Sequence, residues 1–305
     1  MRLVTRSDFD GLACAVLLKH LGLIDDYLFA HPKDLQDEII EINSNDILAN
    51  VPYVPGCGIW FDHHTSEMER LGNNFQFNGR SAPLPSCARV IWEYYGGSEK
   101  FPSELAPMME AVDKVDSAQL SREDILNPQE WVLLGFMMDP RTGLGRYHDY
   151  RISNYQLMMA MIDFCSRMSA EEILHQFDVQ ERTRRYFSQQ KDFSRMLSRC
   201  SKLIDNVLLT DLRNEEEIFS GNRFTVYAMY PQCNASVQVM WGLRKERVVL
   251  TVGYSILNRT CSVDVGSLML SYGGGGHPQV GTCQVPPAQD EQTIREVVAA
   301  LRDCQ

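Results

Sequence analysis

The sequence predicts an α/β protein: an N-terminal, mainly parallel sheet flanked by helices, a helical connector, and a smaller C-terminal α+β domain. Three observations carry this prediction. Short apolar strand-like runs alternate with helical patterns through the first 150 residues; long helical patterns run from about Tyr155 to Lys202, rich in Glu, Arg and Gln from Ala170 to Gln190; and β patterns return after Leu203. The expected domains are therefore residues 1–150, a connector at 151–203, and residues 204–305.

Residues 2–5 read as a strand, 6–10 as a polar turn, and the run from Gly11 as a helix stopping near Gly22. Further strands are expected at 38–42, 47–51 and 58–61, the last ending abruptly at Asp62-His63-His64. Ser86 caps an expected helix that runs to Tyr95, with Gly96-Gly97 as its stop. Beyond the connector, residues 206–210, 224–229 and 247–252 read as strands, and 292–302 as an amphipathic closing helix. In a parallel sheet of this kind, ligands gather outside the carboxyl ends of the strands.

Composition narrows the function. Of 305 residues, 44% are hydrophobic and 23% charged, the balance of a chain able to bury a sizeable core. Lys and Arg number 29 against 40 Asp and Glu, a formal charge of -11. Such a chain repels the phosphate backbone of long duplex nucleic acid, which leaves room only for a local basic pocket taking a short anionic substrate. No run approaches the ~18 apolar residues of a membrane span, and the opening residues hold no apolar signal-peptide core, so the expected location is the cytoplasm. The nine cysteines, Cys304 included, are odd in number and form no C-x-x-C pair, which supports neither a zinc ribbon nor a disulfide framework.

Four clusters carry chemistry. Asp8-Phe9-Asp10-Gly11 lies where a strand gives way to a helix; carboxylates two apart on extended backbone project to one side, near the helix's positive end, and suit Mn²⁺ or Mg²⁺. The plainer alternative is that Asp10 caps the helix while Asp8 is solvated. Asp62-His63-His64 ends a buried strand, where imidazole can ligate a metal and a neighbouring carboxylate can orient it. Asp46, expected at the end of the 38–42 strand, and Asp116 fit the same rim. Near the other end, Gly273-Gly274-Gly275-Gly276-His277 exposes backbone N–H groups that can approach a phosphate closely, with His277 as a further donor; a flexible hairpin is the alternative.

Taken together, these motifs resemble the DHH phosphoesterase family carrying a C-terminal DHH-associated domain, and most nearly its exopolyphosphatase-like branch. The resemblance implies a hydrolase with a metal centre, usually Mn²⁺, with one or two ions. By position, Asp46 would bridge, Asp8 would serve one ion, and Asp10, His63 and Asp116 the other. Asp62 would orient His63, and His64 would face the substrate phosphate. Gly274, Gly275, Gly276 and His277, with Arg259 as a looser match, would hold the rest of the substrate. That substrate is a small phosphate-rich molecule: polyphosphate first, a short oligonucleotide or dinucleotide as the alternative. One departure stands out. Arg6 occupies the place of the family's first-motif histidine, and arginine has no lone pair for a metal. Water could complete the coordination, Arg6 could fill one ion's place, or it could clamp substrate phosphate. A weakened first site is the expectation, and a non-catalytic phosphate or nucleotide sensor is the reading from another class.

Overall fold

A computed structural model describes residues 1–72 and 75–302; Cys304 lies outside the described residues. The chain forms two compact units, Met1–Gln119 with Pro128–Phe187, and Leu120–Asn127 with the chain from Ser188 onward. The strands are β1 (Arg2–Arg6), β2 (Asp26–Ala30), β3 (Asp46–Ala49), β4 (Ile59–Asp62), β5 (Gly79–Ser81), β6 (Ser201–Ile204), β7 (Val207–Asp211), β8 (Ala235–Trp241), β9 (Val248–Tyr254), β10 (Gly275–His277) and β11 (Val280–Val285). The helices are α1 (Phe9–His20), α2 (Pro32–Gln36), α3 (Thr65–Leu71), α4 (Cys87–Tyr94), α5 (Ala106–Asp116), α6 (Arg122–Leu126), α7 (Glu130–Met138), α8 (Asn154–Arg167), α9 (Ala170–Leu174), α10 (Phe177–Cys200), α11 (Thr225–Met229), α12 (Val265–Leu270) and α13 (Asp290–Arg302).

In the first unit, five strands run parallel in the order β2-β1-β3-β4-β5. Register places Leu3 beside Ile47 and Val4 beside Leu48, with Trp60 next in line. Because side chains alternate across a strand, Leu3, Ile47, Ala49 and Phe61 enter one core while Val4, Leu48 and Trp60 enter another. Both faces are thus buried, as parallel sheets require. Helix α1 is apolar nearly all round and is buried from Phe9 to Leu18, packed among α4, α5, α7 and α8. The α/β class with a parallel first sheet is as the sequence predicts.

The second unit holds a six-stranded mixed sheet, β10-β11-β9-β8-β7-β6, parallel only between β7 and β8. One face is covered: Val237, Val239, Leu250, Val252 and Cys283 pack with Val265 and Met269 of α12 and with Ile294, Val297, Val298 and Leu301 of α13. Among the described residues, no helix is long and apolar enough to cross a membrane.

Two expected strands are not strands. Residues 38–42 form no element; Glu38 has φ 55°, Ile39 is exposed, and Ile40 and Ile42 only rest against the Val4–Leu48–Trp60 cluster. The alternation of Glu and Ile mimics a strand, but β2 takes the place beside β1. Residues 224–229 form helix α11, where Thr225, Val226, Tyr227 and Ala228 are all buried. A short apolar run without alternation fits a buried helix turn as well as a strand.

Gly11 shows why the first motif ends as it does. A Cβ there would lie 2.0 Å from the Arg6 carbonyl oxygen and 2.8 Å from Thr5 Oγ1. The first turn of α1 passes so close beneath the end of β1 that only glycine fits. Gly11→Ala should therefore destabilise the protein by about 1–3 kcal/mol, as overpacking does. Thermal unfolding measures this; a melting temperature equal to that of the wild type would contradict the fit.

Candidate metal centre

The carboxyl ends of β1 and β4, the first turn of α1, the start of α4 and the last turn of α5 supply the centre. Asp10 is buried in the first turn of α1. Its Oδ2 accepts from the Cys87 N–H at 2.9 Å and its Oδ1 from the Ala88 N–H at 2.8 Å. These are orphan donors at the start of α4, whose Ser86 cap satisfies the Arg89 N–H instead. Burial, and then the Asp8 charge, push Asp10 up to about 7 against the pull of those two hydrogen bonds. Asp116, the last residue of α5, is also pushed up to about 7, by desolvation and then by the Asp10 charge. Since 28% of its side chain stays exposed, the charge is the firmer cause.

His63 leaves β4 with Nδ1 3.2 Å from the Leu84 carbonyl oxygen. A carbonyl only accepts, so Nδ1 carries a hydrogen, and in the neutral ring the lone pair is then on Nε2. That Nε2 is buried without a hydrogen-bond partner among the described residues, yet lies 3.2 Å from Asp116 Oδ2 and 3.8 Å from Asp10 Oδ2. Asp10, His63 and Asp116 each offer a ligand atom within 4.8 Å of the others. Two carboxylates and a neutral imidazole aimed at one point fit a divalent cation.

Asp62 is paired differently from the expectation. Its buried Oδ1 lies 2.9 Å from His64 Nδ1, so it orients His64, while the Leu84 carbonyl orients His63. Burial disfavours the His64 imidazolium, but the hydrogen bond and charge of Asp62, with Asp116 and Asp10, outweigh it and raise its pKa. The two imidazole rings meet edge to face at 4.2 Å. Asp113 stands apart: it accepts from Ser86 Oγ at 2.7 Å and Arg89 Nε at 2.7 Å, tying α5 to the start of α4.

Asp46 is not at the centre. It opens β3, in register with Arg2 at the start of β1, so it lies at the amino end of the sheet, opposite the rim bearing Asp62. There it takes a two-point contact from Arg2, Nε at 2.7 Å and Nη2 at 3.0 Å, and the Asn43 N–H at 2.8 Å. At the carboxyl end of β3 stands Asn50, whose Nδ2 donates to Asp8 Oδ1 at 3.1 Å. Asp8 itself is the N-cap of α1, accepting from the Gly11 N–H at 3.0 Å, and its Oδ2 pairs with Arg6 Nε at 3.0 Å. The cap is thus Asp8, not Asp10. Asp8 is surrounded by donors rather than by fellow ligands, so the residues present fit one ion at Asp10, His63 and Asp116 and do not fit a second at Asp8. Sequence reasoning missed Asn50, whose one signal is that it follows an apolar run at a strand's carboxyl end, where its φ of 56° turns the backbone away.

The remaining predicted residues belong to the second unit. Gly273 has φ 74°; a Cβ at Gly274 would lie 2.1 Å from the Thr282 carbonyl oxygen, and one at Gly276 2.2 Å from that of Val280. These glycines let β10 pair closely with β11, so they are sheet as well as loop. A Cβ at Gly275 would meet nothing, so its bare backbone is not required by packing. His277 ends β10, and Arg259 lies exposed with Nε donating to the Ile256 carbonyl at 3.1 Å.

Asp10→Asn should abolish Mn²⁺ binding, whereas Asp46→Asn should keep it and cost about 1–3 kcal/mol of stability through its charged contacts; calorimetric titration with Mn²⁺ and thermal unfolding decide, and loss of the metal from Asp46→Asn would restore that residue to the centre. The raised pKa values of Asp10 and Asp116 contribute stability to the metal-free protein below about pH 4, which is lost as pH rises through about 7. Mn²⁺ should therefore raise the melting temperature more at pH 8 than at pH 5.5; an equal rise at both would contradict the two raised acids.

No family model and no curated protein matches the chain. Among solved structures, it is 47% identical, with a TM-score of 0.85, to a protein described as the pGpG-specific phosphodiesterase PggH from Vibrio cholerae, covering 100% of this chain and 99% of that one. An exopolyphosphatase-related protein from Bacteroides fragilis shares the fold at 14% identity and a TM-score of 0.53, covering 99% of this chain and 91% of that one. With the motifs in their order and the acids and imidazole gathered at the sheet's rim, the chain belongs to the DHH phosphoesterase family and is a metal-dependent phosphohydrolase.

Proposed function

We propose that the substrate is a short linear dinucleotide with a 5′-phosphate, of the pGpG kind, and that the reaction is hydrolysis of its phosphodiester to mononucleotides. The observation that carries this is the 47% identity to the pGpG-specific phosphodiesterase over essentially the whole of both chains. It puts the dinucleotide ahead of polyphosphate, the reverse of the order that the family resemblance alone favours. The sensor reading gives way to an enzyme, because a binder has no use for an imidazole lone pair held between two acids.

Asp10, His63 and Asp116 would hold the cation, Mn²⁺ or Mg²⁺ by the chemistry of the donor set. Bound there, it supplies Lewis acidity toward a phosphoryl group and favours ionisation of a nearby water. The chain's own residues do the rest. The Leu84 carbonyl fixes the His63 tautomer. Asp62 fixes the His64 proton on Nδ1 and favours the imidazolium, so that His64 Nε2 can donate to a phosphate oxygen or to the departing ribose oxygen. The second sheet, through the bare Gly275 backbone, Gly274, Gly276, His277 and Arg259, would take the remaining part of the substrate, with residues 1–150 and 204–305 as the two functional domains.

Purified protein with Mn²⁺ should release GMP from pGpG and little phosphate from polyphosphate; the opposite preference would overturn the proposal. His64→Gln should lower kcat by roughly 10²–10⁴-fold, the range of a lost general acid, and keep the metal. As His64 is the acid, activity in the wild type should fall as pH rises through its raised pKa, and that alkaline limb should vanish in the variant.

A further inference from the structure

We propose that this enzyme works with one divalent ion rather than two, and that the guanidinium groups of Arg6 and Arg141 act as fixed charges on the substrate phosphate where a second ion would otherwise act. The inference rests on the phosphohydrolase assignment and not on the identity of the substrate. It starts from Asp8. Three donors already face its two oxygens, the Gly11 N–H, Asn50 Nδ2 and Arg6 Nε, at 3.0, 3.1 and 3.0 Å. One of them carries a full positive charge, and neither Arg6 nor the amide nitrogen of Asn50 can give a metal a lone pair. An ion brought to Asp8 would have to displace the guanidinium and would meet an amide where a bridging acid is needed.

Arg141 brings a second cation to the same place from a distant part of the chain. It follows α7 in the turn Asp139-Pro140-Arg141, and Asp139 and Pro140 line, together with Ser7, one cavity of about 250 Å³. Ser7 is the residue between Arg6 and Asp8, so this turn lies against the loop that carries the first motif. Asp139 Oδ1 accepts both from the Arg141 backbone N–H at 2.9 Å and from Arg141 Nε at 2.7 Å. The guanidinium is thereby aimed, while its two Nη groups have no partner among the described residues and half of the side chain is exposed. Burial acts on it first, and the charges that bear on it are Asp139 and then Asp8 and Asp116, the last a candidate ligand of the ion. A planar cation held by one edge, with its other edge open beside a metal centre, matches two oxygens of a phosphate.

Metal counting on protein equilibrated with Mn²⁺ and passed through a desalting column tests the first half without any variant: one ion per chain is expected, and two would overturn the proposal. Arg6→His with Asn50→Asp, checked for folding by circular dichroism, should gain a second ion; a folded double variant still holding one would show that these two residues do not exclude it. For Arg141, the readout is inorganic phosphate binding to the Mn²⁺-loaded protein by calorimetry. Arg141→Gln should weaken phosphate roughly 10- to 100-fold, the worth of a charged contact, and Arg141→Lys should recover part of it. Mn²⁺ should bind the Gln variant as tightly as the wild type or more so, since a cation has left the neighbourhood of two acids. Unchanged phosphate affinity, or lost Mn²⁺ affinity, would remove Arg141 from this role. None of these measurements uses a dinucleotide, so they stand or fall apart from the substrate proposed above.

Discussion

The structure depends on one constraint at the rim of the first sheet: negative charge is buried there faster than the protein neutralises it. Asp10 is sealed beneath the start of α4 and takes two of that helix's free N–H groups, yet its pKa still rises to about 7 because water is excluded and, next, because Asp8 lies close. Asp116 is raised with it, and the Nε2 lone pair of His63 points between them. Helix N-terminal donors soften this arrangement but do not resolve it. A divalent cation resolves it, which is why the fold around the site reads as a device for holding one.

The same rim shows how unequal fates arise for neighbouring acids of the same kind. Asp10 keeps its oxygens toward α4 and the centre, while Asp8, two residues earlier, turns to the α1 cap and is matched by Arg6 and Asn50. Asp62 is spent on His64. The result is a graded set: ligands, a capped and paired acid, and an acid that holds a proton on an imidazole. Each role follows from which donor lies within about 3 Å, not from the residue type.

Much of this was legible in the residues. The parallel first sheet, α1, α4 with its Ser86 cap and the closing helix follow from alternation and caps, while the meeting of Asp10, His63 and Asp116 was implied only by the family resemblance. What escaped was everything set by strand register. Asp46 looks like a rim acid until its pairing with Arg2 places it at the amino end, where a two-point ion pair accounts for it. Asn50 looks like one residue of an apolar strand until the turn after Ala49 puts it beside Asp8. The choice of Leu84 rather than Asp62 as the partner of His63 depends on a backbone carbonyl, which carries no mark in the sequence. Arg141 is invisible for the same reason: only folding brings residue 139 against residue 7.

On this geometry a single imidazole, that of His63, would complete the cation's coordination with Asp10 and Asp116. Pulsed electron paramagnetic resonance of the Mn²⁺-loaded protein reads this directly through the coupling of the metal's electron spin to ligand nitrogen. The account predicts coupling to one histidine nitrogen, lost in His63→Gln and retained in His64→Gln. Absence of nitrogen coupling in the wild type, or a signal that follows His64 instead, would contradict it.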